Sequence, residues 1–358
     1  MISKIHSREC LRSVSAGLCV LAAMTWGTVI LGATPAAAQT ATVRVGTPNV
    51  ASDAPLFVAI DKGFFAKQGI KVEFVTFASA ANMIAPMAAG QLDVGAGGLS
   101  AGLYNAIARG FALKAVADKV ALPPGSKYFN LLVRRDLVTS GRVKGPADLK
   151  GLRIAEAGTA TSTTYALSVI AKLGGITYAD SIHTSLPFPD HIAALQNQSI
   201  DASITVEPLL TRALDADVAG VVKSVDEMVP NLQIAVLLYS EAFAKNRDVA
   251  QRFMNAYVEG ARFYAGAIKS HRLDGPNAAE VADILTKYTS IKDPAVYRRI
   301  APSEIDADGR MNIKGMRDML DFFKSDGLTQ GKVSVDDLVD TSFVEQSIKV
   351  LGPYQPPH

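Results

Sequence analysis

The stretch from Val43 to Thr76, VRVGTPNVASDAPLFVAIDKGFFAKQGIKVEFVT, constrains the fold more than any other part of the chain. Val43-Arg44-Val45-Gly46 alternates apolar and polar residues and is β-branched, the pattern of a short strand. Thr47 to Asp53 is rich in turn formers. Ser52 or Asp53 can cap a helix with Pro55 in its first turn, where a missing N–H costs little. Leu56, Ala59, Ile60, Gly63 and Phe64 fall at i, i+3, i+4, i+7 and i+8, one apolar face of a helix that Gly69 ends. Lys71 to Thr76 reads as a second strand. Strand, helix and strand make a βαβ unit, whose crossover is expected to be right-handed.

The same stretch opens a resemblance. Ala54-Pro55-Leu56-Phe57-Val58-Ala59, Lys62-Gly63-Phe64-Phe65 and Gly69-Ile70-Lys71-Val72-Glu73 come first. Gly90-Gln91-Leu92-Asp93-Val94-Gly95, Asp148-Leu149-Lys150-Gly151-Leu152-Arg153-Ile154-Ala155, and Asp201-Ala202 with Glu207-Pro208 follow in order. Together they resemble the nitrate/sulfonate/taurine-type (thiamine-pyrimidine-synthase-like) substrate-binding proteins of ABC importers, over residues 43 to 350. The resemblance implies a two-lobed type II periplasmic-binding-protein fold, α/β in class.

The first 38 residues read as a signal peptide. Lys4, Arg8 and Arg12 give a charged start, Val14 to Leu31 is apolar or small, and Ala36-Ala37-Ala38 offers a cleavage site before Gln39. Both cysteines, Cys10 and Cys19, lie in that segment, so the remainder has no disulfide, thiol nucleophile or thiolate metal site. Taking Lys4, Arg8, Arg12 and Glu9 from the 36 basic and 34 acidic residues leaves 33 of each. A neutral chain argues against nucleic acid as a partner.

The remaining 320 residues exceed what one hydrophobic core usually serves. Two α/β lobes are expected. Residues 39–127 form the first part of lobe 1, 128–232 lobe 2, 233–350 the mostly helical second part of lobe 1, and 351–358 a disordered or loosely draped tail. Helices are expected at Ala78–Ala89, after the turn Gly97-Gly98-Leu99-Ser100 as far as Gly110, and at Ala250–Ser270, with inter-lobe crossings near 128 and 232. No internal repeat is visible.

In open α/β sheets the ligand lies beyond the carboxyl ends of the strands, and the resemblance points to the same loops. That rule selects Asn49, Phe77, Ser79, Gly98, Ser100, Thr159, Thr161, Ser162, Phe188 and Glu207. Thr159, Thr161 and Ser162 sit at a helix start, where hydroxyls and N–H groups suit an oxyanion; N-capping alone would need one hydroxyl. Ser79 and Ser100 have the same two readings. Gly98 is either a turn residue or a place where backbone approaches a ligand. Phe77 and Phe188 either stack on a ligand or belong to the core. Glu207 accepts a ligand amine or hydroxyl, locks the lobes, or simply favours a helix start. Lys119 either meets an acidic group or, the preferred reading, stays solvated.

No H-E-x-x-H, G-x-S-x-G, P-loop or dinucleotide glycine motif is present. The expected protein is a periplasmic receptor that captures a small oxyanion-bearing organic solute by hinge closure. It works with an ABC permease in the inner membrane, as a monomer, without cofactor, metal or catalysis. The alternatives are a thiamine-pyrimidine-synthase-like enzyme and a periplasmic sensor input without transport.

Overall fold

The structure, a computed structural model, describes residues 40–77 and 80–357. The expected signal segment and the site candidate Ser79 lie outside the described residues. In chain order come β1 (Ala41–Thr47), α1 (Ala54–Asp61), α2 (Phe64–Lys67), β2 (Ile70–Thr76), α3 (Ile84–Ala88), β3 (Val94–Gly98), α4 (Ala101–Ala108) and β4 (Lys114–Leu122). Next are β5 (Phe129–Arg134), α5 (Arg135–Thr139), β6 (Arg153–Glu156), α6 (Ser162–Leu173), β7 (Ile182–Ser185), α7 (His191–Gln196), β8 (Ala202–Val206), α8 (Leu209–Asp215), β9 (Ala219–Ser224) and α9 (Val225–Met228). β10 (Leu232–Tyr239) leads into α10 (Glu241–Lys245), α11 (Arg247–Ala265), α12 (Ala278–Tyr288), α13 (Pro294–Arg299), α14 (Ile313–Ser325), α15 (Val335–Leu338) and α16 (Ser342–Leu351).

The strands form two five-stranded sheets, ordered β2-β1-β3-β10-β4 and β7-β6-β8-β5-β9. The first three strands of each are parallel, and the fourth runs antiparallel to both its neighbours. The chain therefore leaves the first sheet after β4 and re-enters it with β10. That is the mixed α/β, type II periplasmic-binding-protein architecture expected from the sequence.

The apolar face of α11 makes much of the first sheet's cover. Phe253, Met254, Tyr257, Ala261 and Tyr264 recur at helical spacing and are buried. Removing each large side chain from water contributes roughly 1.5–3 kcal/mol. Gly260 brings α11 against α1, since a Cβ there would lie 2.3 Å from the Pro55 carbonyl. Only a bare backbone fits that crossing.

Local expectations fail where a helix is interrupted. The helix projected from Pro55 to Gly69 breaks at Gly63, whose φ of +72° is left-handed, giving α1 and α2. The helix expected at Ala78–Ala89 is, over its described part, a 3-10 turn at Ala80–Met83 followed by α3. The tail lies back on α11: the Gly352 carbonyl accepts from Arg262, and the Pro357 ring abuts Gly266.

A repeat invisible in the sequence emerges from the sheets. In the first, Asp93 accepts from Arg44 N (2.8 Å), Nε (3.0 Å) and Nη2 (2.9 Å), while Nη2 also donates to Gly90 O (2.8 Å). In the second, Asp201 accepts from Arg153 N (3.0 Å), Nε (3.0 Å) and Nη2 (2.8 Å), while Nη2 also donates to Gln198 O (2.7 Å). Gly90 and Gln198 both take left-handed φ values, +68° and +61°. Asp93 O receives Ser240 N–H, and Asp201 O receives Arg134 N–H. The two sheets are built on one scheme.

Candidate functional site

The carboxyl ends of β1, β2 and β3 face those of β6, β7 and β8, and two backbone bonds show where they meet. Ala101 N–H donates to Ala160 O (2.8 Å) and Ser162 N–H to Leu99 O (3.2 Å), making an antiparallel bridge between Ser100 and Thr161. The starts of α4 and α6 thus converge on one cleft. Helix starts carry partial positive charge, about half an elementary charge each.

The hydroxyls on α6 sort into two sets. Thr161 caps the helix: its Oγ1 bonds Thr163 Oγ1 (2.7 Å) and donates to Gly158 O (3.2 Å), and its N–H donates to Thr164 Oγ1 (3.1 Å). Thr164, in turn, donates to Glu156, which is 2% exposed and also accepts from the Tyr178 hydroxyl. His183 stacks on Tyr178 at 3.6 Å and brings Nδ1 to 3.2 Å from Glu156. This buried set holds the first turn of α6 in place. Among the described residues, no side chain bonds the hydroxyl of Thr159, which is exposed, or of Ser162, which is buried. Ser100 is a plain cap of α4, its Oγ accepting from Leu103 N (3.3 Å).

On the first sheet, Asn49 adopts a left-handed φ of +58°, which asparagine tolerates better than most residues. Its N–H donates to Thr47 Oγ1 (3.1 Å), its Nδ2 reaches Thr76 Oγ1 at 3.5 Å, and its Oδ1 is buried without a partner. The turn behind it is fixed by an ion pair that the sequence does not announce. Lys119, on β4, is 4% exposed rather than solvated, and lies 3.0 Å from fully buried Asp53 and 2.9 Å from Ser52 Oγ. Asp53 also accepts Val50 N–H (2.9 Å). Two charges removed from water need each other, so Lys119 is committed to Asp53.

The remaining candidates have mixed outcomes. Gly98 would accept a Cβ at ordinary contact, 3.6 Å from Ile234 O, whereas a Cβ on Gly97 would strike Ala80 at 2.3 Å. The glycines of β3 thus serve packing against the segment after β2. Phe77 is half-buried beside Gly46, and Phe188 is half-buried with its edge on His191, centroids 5.5 Å apart. Glu207, only 6% exposed, accepts from Thr211 N (3.0 Å) and Oγ1 (2.7 Å). Burial pushes its carboxyl above the usual range. It lines a cavity of about 10 Å³ with Tyr128, Tyr264 and Tyr297, room for one water. Ala301 lines the same cavity, so the β8 end and the helical part that covers the first sheet meet there.

A cavity of about 660 Å³ lies at the crossing segments, lined in part by Asp118, Tyr165, Asn231 and Asp306. Asp118 is fully buried and accepts from Gln233 Nε2 (2.7 Å) and Asp306 N (2.8 Å), yet burial lifts its carboxyl to about 7. Among the described residues no group of His, Cys, Asp and Glu is arranged for a metal, and no helix is long and apolar enough to cross a membrane.

The family model described as NMT1/THI5 like matches residues 51–267. No curated protein sequence matches the chain. The alkanesulfonate-binding protein SsuA from Xanthomonas axonopodis pv. citri, bound to MOPS, is similar in structure: TM-score 0.66, 21% identity, 86% of this chain and 100% of that one. The periplasmic nitrate-binding protein NrtA from Synechocystis PCC 6803 gives a TM-score of 0.70 at 14% identity, over 90% of this chain and 93% of that one. The desulfurization enzyme DSZB gives 0.60 at 15% identity, over 87% and 99%.

Proposed function

The chain belongs to the NMT1/THI5-like family, and we propose that it is a periplasmic solute-binding receptor of an ABC importer. Its partners in this reading are a small-molecule solute and a permease in the inner membrane. The solute is an organic molecule bearing an oxyanion, such as a sulfonate or an aromatic carboxylate. It is held between the two sets of strand ends and enclosed by hinge motion about the segments after β4 and before β10.

One observation supports the oxyanion above the rest: α4 and α6 point their positive ends at the same cleft, with the Thr159 and Ser162 hydroxyls uncommitted beside them. Lys119, the buried cation beside the turn after β1, already neutralises Asp53. Dipoles and hydroxyls therefore carry the recognition, a weaker and more selective arrangement than a direct ion pair. The buried Oδ1 of Asn49 adds an acceptor for a hydroxyl or amine on the same solute.

The fold also serves an enzyme among the similar structures, but the described residues contain no cysteine and no nucleophile–base pair of recognised spacing. A thermal-shift screen with sulfonates, aromatic carboxylates and pyrimidines tests the reading. One oxyanion class at 100 times its Kd is expected to stabilise the protein by about 2.7 kcal/mol, and the solute is expected back unchanged after denaturation. Binding of neutral pyrimidines alone would remove the oxyanion. Time-dependent conversion of a bound solute would move the protein to the enzymes.

A further inference from the structure

The bridge between Leu99–Ala101 and Ala160–Ser162 is made of backbone alone. Its two donors, Ala101 and Ser162, are the first residues of α4 and α6. Leading N–H groups of a helix have no acceptor within their own helix, so each must find one elsewhere. Here each finds a carbonyl that follows the other sheet's strand: Ala101 uses Ala160 O after β6, and Ser162 uses Leu99 O after β3. Ala160, the acceptor of the shorter bond, holds a left-handed φ of +56°, a region that disfavours any residue with a Cβ.

We propose that this bridge is a latch that sets the balance between open and closed arrangements of the two sheets, by the same factor for every solute. Its bonds exist only when the sheets meet. A solute bound in the cleft then adds its own contacts to an equilibrium the protein has already biased. Two other contacts between the two sheets' layers depend on side chains. Arg299 meets Asp215 at 2.5 Å with both partners at least half exposed, and exposed pairs contribute little. Tyr165 and Phe322 lie 5.8 Å apart in a tilted pair. The latch, by contrast, is made by no side chain, and a change that deletes an N–H removes one of its bonds outright.

Proline does that at no cost to the helices. At the first helical position its missing N–H is one the helix does not use, and its φ is already helical. The residue before a proline must be extended, and Ser100 (φ −155°, ψ 157°) and Thr161 (φ −112°, ψ −176°) already are. Ala101→Pro and Ser162→Pro therefore each remove one latch donor. Ala101→Ser and Ser162→Ala retain the N–H and serve as matched controls, the second lacking the same hydroxyl as Ser162→Pro.

The test is amide hydrogen exchange without added solute, read at Ser162 in the Ala101 variants. A hydrogen bond of ordinary net strength corresponds to about fivefold in an equilibrium. The Ser162 amide is expected to exchange about fivefold faster in Ala101→Pro than in Ala101→Ser, with β1 and β8 amides unchanged and the radius of gyration in solution increased. Equal exchange in the two variants overturns the latch. If Ala101→Pro does not fold, Ser162→Pro against Ser162→Ala is read at the Ala101 amide by the same criterion. Because no solute enters the measurement, loss of the latch and loss of the receptor reading are separate outcomes.

Discussion

Asp93 and Asp201 occupy the same place in the two sheets, each gripping the arginine of the first parallel strand and each receiving an N–H from the antiparallel strand's end. At the opposite ends of the same strands the likeness stops. After β1 the chain turns over a buried ion pair, Asp53 with Lys119; after β6 it turns over neutral hydroxyls backed by Glu156, Tyr178 and His183. The amino ends carry framework, which both sheets need alike. The carboxyl ends meet at the Ser100–Thr161 bridge, and there the sheets differ most: an ion pair in one, neutral hydroxyls in the other. A repeated scaffold thus shows where its two halves have diverged, at the ends the proposed solute site uses.

That comparison can be broken at several points. The largest effect is expected from Lys119→Ala, which strands Asp53 uncompensated in the interior; breaking a buried pair from one side costs about 3–5 kcal/mol. Urea denaturation measures it, and a loss below ~1 kcal/mol would mean that the first sheet's turn does not depend on the pair. Next come the paired aspartates. Asp201 also takes Arg134 Nη1 at 2.9 Å, a contact Asp93 lacks. Asp201→Ala is expected to cost about 3 kcal/mol and Asp93→Ala about 2, charge-assisted bonds contributing roughly 1.5–3 kcal/mol each before relaxation. Equal losses would reduce the second sheet's extra arginine to ornament. The smallest change in stability is expected from the double variant Thr159→Ala with Ser162→Ala, under ~1 kcal/mol, because neither hydroxyl bonds a side chain. Its solute affinity, measured by calorimetry, is expected to fall at least tenfold, or ~1.4 kcal/mol. A double variant that binds like the parent would move recognition away from α6.

Local signals were read well where structure is local. The strands expected at Val43–Gly46 and Lys71–Thr76 lie within β1 and β2. The break at Gly63 was missed because an apolar face at helical spacing continues across it, and nothing local distinguishes a helix residue from a left-handed stop. Lys119 looked solvated because its partner, Asp53, is far away in sequence and pairs with it only through the fold. The repeat was hidden because it survives in one arginine, one aspartate and a left-handed turn, in which glycine at position 90 is matched by glutamine at 198. Of the hydroxyl-rich loop, the sequence shows three candidates. Only the geometry separates the cap, Thr161, from the two whose hydroxyls bond no side chain.

The position of β10 also orders events in time. It lies between β3 and β4 in the first sheet, yet it is synthesised after every strand of the second. A growing chain that has reached Met228 holds a complete second sheet, while β4 has no neighbour to join it to β3. The second sheet is therefore the first that can finish. Once it has, the ends of the long excursion are held close, with Gly125 N–H on Asp226 (2.7 Å) and Asn231 N–H on Leu122 O (2.9 Å). β10 then enters its slot across a short gap, and the loop entropy of the whole intervening stretch no longer opposes it.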